Sequence, residues 1–187
     1  MNVNSLRPGA IALVLWTLVT LTLAGCGKDP METAIEKNDR KAVSEAIKEG
    51  ADVNEEVSGG NTPLLLAAKN GQSSSAQALI EAGADIKARD GSGNGVLHYS
   101  AQSGMTGICG LLIDRGVPID EKGAGGATPL QLSVQGGRLE TAKYLVRRGA
   151  SLEQKNDANS SALDLVERSG DIRFKNDLIS ASKMRSN

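Results

Sequence analysis

Three features of this chain have residue types that support chemistry: His98, Cys109 and the run Asp90-Gly91-Ser92-Gly93-Asn94-Gly95. His98 is the only histidine, and it falls on the helix before the one that carries Cys109. A Cys–His pair turns a thiol into a nucleophile when a third group orients the imidazole, and no such group is apparent. The alternative reading of Cys109 is a small core residue, because it takes the place of Val43, Ala76 and Ala142 in other stretches of the chain. The Asp90 run puts Asp, Ser, Asn and Gly at the first, third, fifth and sixth places of a calcium loop. The twelfth place requires a bidentate Glu and holds Ala101, so the run reads as a hairpin tip. Neither these glycines nor Gly123-Ala124-Gly125-Gly126 lead through Lys-Ser/Thr into a helix, which excludes a phosphate loop. No metal cluster, nucleophile elbow or paired-carboxylate site stands out, and no catalytic residue, metal or cofactor is expected.

The elements that position these residues recur with a fixed period. Thr62-Pro63-Leu64 is answered by Gly95-Val96-Leu97, Thr128-Pro129-Leu130 and Ser161-Ala162-Leu163, each 33 residues on. Gly50, Gly83, Gly116 and Gly149 keep the same spacing. Such a period means stacked supersecondary units that bury a shared core, not one globular core. In the best-formed unit, Thr62-Pro63 opens a helix as cap and first residue. Gly71 stops it, a second helix runs over 74–81, and Gly83 ends that one. Residues 84–94 form an extended, turn-rich connection to the next unit.

This pattern resembles the ankyrin repeat. The resemblance rests on Thr-Pro-Leu at 62–64 and 128–130 and Gly-Ala-Asp at 50–52 and 83–85. It rests too on the paired apolar residues Leu79-Ile80, Leu112-Ile113, Leu145-Val146 and Leu178-Ile179. It implies an all-α solenoid of about five repeats over residues 29–182, starting near 29, 62, 95, 128 and 161, with a tail at 183–187. Leu97-His98 keeps half of the family's Thr-Pro-Leu-His, where the histidine ties down the neighbouring loop. Gly95 stands where the family has Thr, which argues against that structural hydrogen bond. Arg173, Lys175, Asn176 and Asp177 in the last helix suit a solvent-facing cap. The third unit carries Gly107 and Gly110 inside its second helix, at about 1 kcal/mol each relative to alanine. Either this unit opens most easily, or the glycines allow close packing.

Residues 1–25 do not share this pattern. Arg7 is followed by an apolar run from Ile11 to Leu23, the length of a signal-peptide core and short of the roughly 20 residues of a spanning helix. Leu23-Ala24-Gly25-Cys26 resembles the bacterial lipoprotein box. The alternative is an uncleaved anchor with an incidental cysteine. The resemblance implies cleavage before Cys26, acylation of its thiol, a short tether over 26–28, and a mature protein facing the periplasm or cell exterior. Gly27 after the cysteine favours the outer membrane.

The whole chain has a formal charge of −1, and removing Arg7 with the leader leaves about −2, mixed along every unit. That excludes the basic face of a nucleic-acid binder. With Trp16 in the leader, only Tyr99, Tyr144 and Phe174 remain as aromatics, too few for a stacking platform. By the resemblance, a protein partner meets the turn tips and first helices. The positions in phase are Glu55, Glu56, Ser58, Asn61, Lys69 and Asn70, then Lys87, Arg89, Gly91, Ser92, Asn94, Gln102 and Ser103. Ala124, Ala127, Gln135, Asp157, Ser160 and Arg168 complete them. The expected function is a non-enzymatic, lipid-anchored scaffold, monomeric when free. One version is an immunity protein against a periplasm-acting toxin encoded nearby. The other is an accessory to a periplasmic enzyme, such as one of oxidative defence.

Overall fold

The computed structural model describes residues 29–57 and 59–184. The expected leader, the lipid site Cys26 with its tether, Ser58 and residues 185–187 lie outside the described residues. Among the described residues the chain forms ten α-helices in five pairs. They are α1 (Pro30–Glu36) with α2 (Arg40–Lys48), α3 (Pro63–Lys69) with α4 (Ser73–Glu81), and α5 (Val96–Ser103) with α6 (Thr106–Asp114). The series ends with α7 (Pro129–Gln135), α8 (Leu139–Arg147), α9 (Ala162–Ser169) and α10 (Ile172–Lys183). The first helices begin 33 residues apart without slippage, and no strand longer than an isolated bridge occurs among the described residues. The expected all-α solenoid of five units is the fold.

Four of the five units start at a residue whose side chain accepts from the first free N–H groups of a helix. Asp29 Oδ1 accepts from the Met31 N–H at 2.7 Å, and Thr62 and Thr128 hydroxyls accept from Leu65 and Gln131 at 3.3 Å. Gly95 has no side chain to do this, so α5 starts without a side-chain cap from its first residue. The second helices close by one repeated bond: the N–H of Ala51, Ala84, Val117 and Ala150 reaches back five residues to Ala46, Leu79, Leu112 and Leu145, at 2.9–3.1 Å. Gly83, at φ +88°, supplies the left-handed residue this closure requires. The bend between paired helices falls on glycine in four units and on Asn38, at φ +52°, in the first. Asn38 adds a function that glycine lacks: its Oδ1 accepts from the Ser74 and Ser75 N–H groups at the start of α4.

The helices form two layers. First helices pack on first helices, and second helices pack on second helices. Leu64, Leu97 and Leu130 are fully buried between the layers, as are Leu79, Leu112, Leu145 and Leu178. Leu163, in the same phase, is only half-buried, because no sixth unit follows to cover it among the described residues. Ile172 stands 72% exposed at the same end.

Two polar junctions join successive connections. Asn54 Oδ1 accepts from the Asp85 N–H at 2.8 Å, and Asp120 Oδ1 accepts from the Ser151 N–H at 3.0 Å. The intervening junction pairs Lys87 with Pro118 in the same phase. Proline has no N–H to donate, and Lys87 has no acceptor to offer.

The two internal glycines of α6 differ. A Cβ on Gly110 would fall 2.7 Å from the Tyr144 hydroxyl, so Gly110 makes room for α8. Tyr144 Oη accepts from Arg148, which also pairs with Asp114 at 2.5 Å. Nothing lies within 4 Å of a Cβ on Gly107. Gly107→Ala is therefore expected to stabilise the chain by up to about 1 kcal/mol, and Gly110→Ala to destabilise it by about 1–3 kcal/mol. Urea midpoints of the two variants check this pair of opposite signs.

Candidate protein-binding face

The hairpin tips lie against the first-helix layer and are closed by a bond that recurs in phase. The N–H of Val57, Asp90, Gly123 and Asn156 donates to the carbonyl four residues on, at 2.8–3.1 Å. Asp90 Oδ1 also accepts from the Ser92 and Asn94 N–H groups, and Asn156 Oδ1 does the same for Ala158 and Ser160. The Asp90 run is thus a hairpin tip whose carboxylate is used internally, as expected. Among the described residues no group of His, Cys, Asp and Glu is arranged to hold a metal ion.

Asp90 is also the hub of a network across units. Its Oδ2 accepts from the Tyr99 hydroxyl and pairs with Lys69 Nζ at 3.1 Å. Lys69 Nζ donates to Asn61 Oδ1 at 2.8 Å and lies 5.0 Å from the Tyr99 ring centroid. Asn94 donates to Tyr99 and accepts from the Ala124 N–H of the next tip. Burial pushes the Asp90 carboxyl up, but hydrogen bonds from Tyr99 and Lys69 and from the Asn94 and Ser92 N–H groups outweigh it and hold the pKa down to about 2. Its folded pKa lies below the ordinary carboxylate value, so ionised Asp90 stabilises the fold above about pH 4. That stabilisation, on the order of 1–2 kcal/mol, is lost as pH falls towards 2. Asp90→Asn keeps the two backbone bonds, as Asn156 does. It should lower the thermal midpoint at pH 7, and the difference from the parent should shrink as pH falls through the folded Asp90 pKa of about 2.

His98 is the second device, and it ties a first helix to the tip that follows it. Gly95 N–H donates to His98 Nδ1 at 3.1 Å, and His98 Nε2 lies 3.1 Å from the Glu121 carbonyl and 3.2 Å from that of Ala127. Carbonyls only accept, so Nε2 carries the proton. The expectation that Gly95 removes this structural bond is corrected: the backbone N–H makes it, and no Thr side chain is involved. The space left by the missing side chain admits Glu121, whose Oε1 would lie 3.0 Å from a Cβ on Gly95. Gln131 has the same role in the next unit: it accepts from the Thr128 N–H and donates to the Gln154 and Ser160 carbonyls at 2.7 and 2.9 Å. Sequence reasoning passed over Gln131, although it is His98 plus 33. Cys109 is fully buried, and burial pushes its thiol pKa up to about 12. Both His98 nitrogens are engaged with backbone groups, Nδ1 also lies 3.2 Å from Glu121 Oε1, and neither nitrogen bonds the protonated Cys109 thiol, so the two do not form an activated Cys–His pair.

The expected contact positions divide into two sets. Asn61, Ala127 and Ser160 are buried and are corrected as contacts. Asn61 and Ser160 turn inward to meet Lys69 and Arg168 of the first helix that follows each of them. Asn94 and Ser103 are half-buried and bonded to neighbouring units, Ser103 through the Ala68 carbonyl. Glu55, Glu56, Asn70, Lys87, Arg89, Gly91, Ser92, Gln102, Gln135, Asp157 and Arg168 are exposed, Lys69 keeps partial exposure, and Ala124 is half-buried. Ser58 lies outside the described residues. A row that sequence reasoning missed runs beside them: Leu66, Tyr99, Leu132 and Leu165, 33 apart and all half-buried. The same period, applied to half-exposed columns, would have found it.

No helix of the described residues is long and apolar enough to cross a membrane. No curated protein matches the chain. Two overlapping stretches, residues 9–90 and 85–156, match the family described as Ankyrin repeats (3 copies), the first reaching into the segment before the described residues. Repeats of this family are generally non-catalytic scaffolds for binding other proteins. With the matched stretches covering most of the sequence and five in-phase helix pairs in the structure, the chain belongs to the ankyrin-repeat family.

Proposed function

We propose that this ankyrin stack is a lipid-anchored scaffold of the bacterial cell envelope, held by acylated Cys26 and facing the periplasm. Its partner is a protein toxin acting there, which it neutralises by binding. The observation that carries the binding face is the row Leu66, Tyr99, Leu132 and Leu165, half-exposed along four consecutive first helices. Beside it, Lys69, Asn94, Tyr99, Ser103 and Arg168 are already bonded, so these groups need little ordering on binding. Leu23-Ala24-Gly25-Cys26 supports the anchor, and a tethered, non-catalytic binder suits interception of an incoming protein.

Acyl labelling of the full chain in cells tests the anchor: incorporation should disappear in Cys26→Ser. Capture with soluble 27–187, offering the products of adjacent genes, tests the partner. One tight partner whose toxicity is blocked, and whose capture fails with Leu132→Arg, is the expected result. Capture of a housekeeping envelope enzyme would replace the immunity role with an accessory one. A chain that recovers no protein at all would overturn the scaffold reading.

A further inference from the structure

The hairpin tips carry a row of cations that the established features do not use. Arg89, Lys122 and Lys155 occupy one tip position 33 residues apart, and all three are exposed. They are linked head to backbone: Arg89 Nη1 donates to the Lys122 carbonyl at 3.1 Å, and Lys122 Nζ donates to the Lys155 carbonyl at 3.3 Å. These two bonds lay the Arg89 and Lys122 side chains along the row. Glu121 compensates Arg89 at 2.5 Å, whereas among the described residues no carboxylate lies within ion-pair distance of Lys122 or Lys155, and Asp164, held below its ordinary pKa mainly by Ser161, feels the Lys155 charge at longer range. Arg168 adds a further cation beside Lys155, in a shallow cleft with Asn159, Ser160, Asp164 and Glu167. The fourth position of the row is Glu56, so the sign reverses at the first unit. Residues 29–61 hold nine carboxylates against four cations, whereas residues 128–187 hold seven against ten.

We propose that the tips at Arg89, Lys122 and Lys155 dock an acidic, extended segment of the protein partner, with carboxylates at every third residue. The geometry sets that period. Packed helices stand about 8–10 Å apart, and consecutive first helices here pack directly on one another. A polyproline-type strand rises about 9 Å in three residues and returns the same face each time. Carboxylates at i, i+3 and i+6 therefore meet three successive tips, and Glu56 repels a fourth. A nucleic acid fits less well: the first unit is acidic, and no exposed aromatic row offers stacking. The proposal rests on the protein-binding reading and names the chemistry of the partner segment.

The test uses the full chain in detergent and two fluorescein-labelled peptides, read by anisotropy at low salt. One peptide repeats the triplet Glu-Pro-Pro four times. The other is its block isomer, with all the glutamates first and all the prolines after them. The periodic peptide should bind severalfold tighter than the isomer. Lys122→Glu with Lys155→Glu should weaken it about tenfold, because two exposed attractions are lost and two repulsions gained. Arg147→Glu, an exposed reversal on a second helix, should change nothing. Circular dichroism confirms that each variant is folded, and Lys122→Gln with Lys155→Gln repeats the loss without introducing repulsion. Equal binding of the two peptides, indifference to the double reversal, or tighter binding of a single-stranded DNA of equal charge overturns the proposal. If the peptide fails while a protein partner is still captured, the acidic segment falls and the scaffold reading stands.

Discussion

His98→Ala is expected to destabilise the stack by about 3 kcal/mol, a fall in thermal midpoint of roughly 6–12 °C. The substitution leaves the Glu121 and Ala127 carbonyls without the Nε2–H and the Gly95 N–H without its acceptor. Burial of such orphans costs about 1–3 kcal/mol, and the vacated imidazole volume adds to it. His98→Gln should recover most of the loss, because Gln131 already makes the equivalent three bonds in the following unit. A catalytic histidine would not be rescued in this way. Thermal melts of the parent and the two variants decide it; equal loss in both would mean that the clamp geometry is specific to imidazole.

Gly123→Ala is expected to cost about 2–3 kcal/mol, more than its position in an accessible tip suggests. A Cβ there would fall 2.3 Å from Asn94 Oδ1 and 2.8 Å from His98 Nε2. Neither neighbour is free to move. Asn94 Oδ1 accepts from the Ala124 N–H, and His98 is fully buried and bonded on both nitrogens. One methyl group therefore disturbs both devices that hold this tip, and overpacking of this kind typically costs about 1–3 kcal/mol. Gly91→Ala is the control: nothing lies within 4 Å of its Cβ, and it should shift the urea midpoint little. A neutral Gly123→Ala would show that the tip relaxes without breaking the clamp.

The repeat architecture was legible because its landmarks are local. Capping residues, helix-ending glycines and buried leucines recur at fixed spacing, and the helices start at 30, 63, 96, 129 and 162 as that spacing requires. The inner contacts were less legible, because they depend on which unit a polar side chain turns to. Asn61 and Ser160 read as tip residues, yet each is buried against a cation of the first helix that follows it. Lys69 and Tyr99 read as one surface charge and one stray aromatic, but they meet on Asp90, which itself read as a failed calcium ligand. Gln131 was invisible because glutamine announces no chemistry. Only superposition of the units by phase shows it in the place of His98.

The junctions between connections have a consequence for how such a chain can gain or lose length. Loss of 62–94 would bring Asn54 to the place opposite Pro118, an acceptor facing a residue with no donor. Loss of 95–127 would set Lys87 opposite Ser151, a half-buried N–H with nothing to receive it. Units of equal length are therefore not interchangeable pieces. Recombination between them carries a mismatch at the seam, and the order of the units is inherited together with their number.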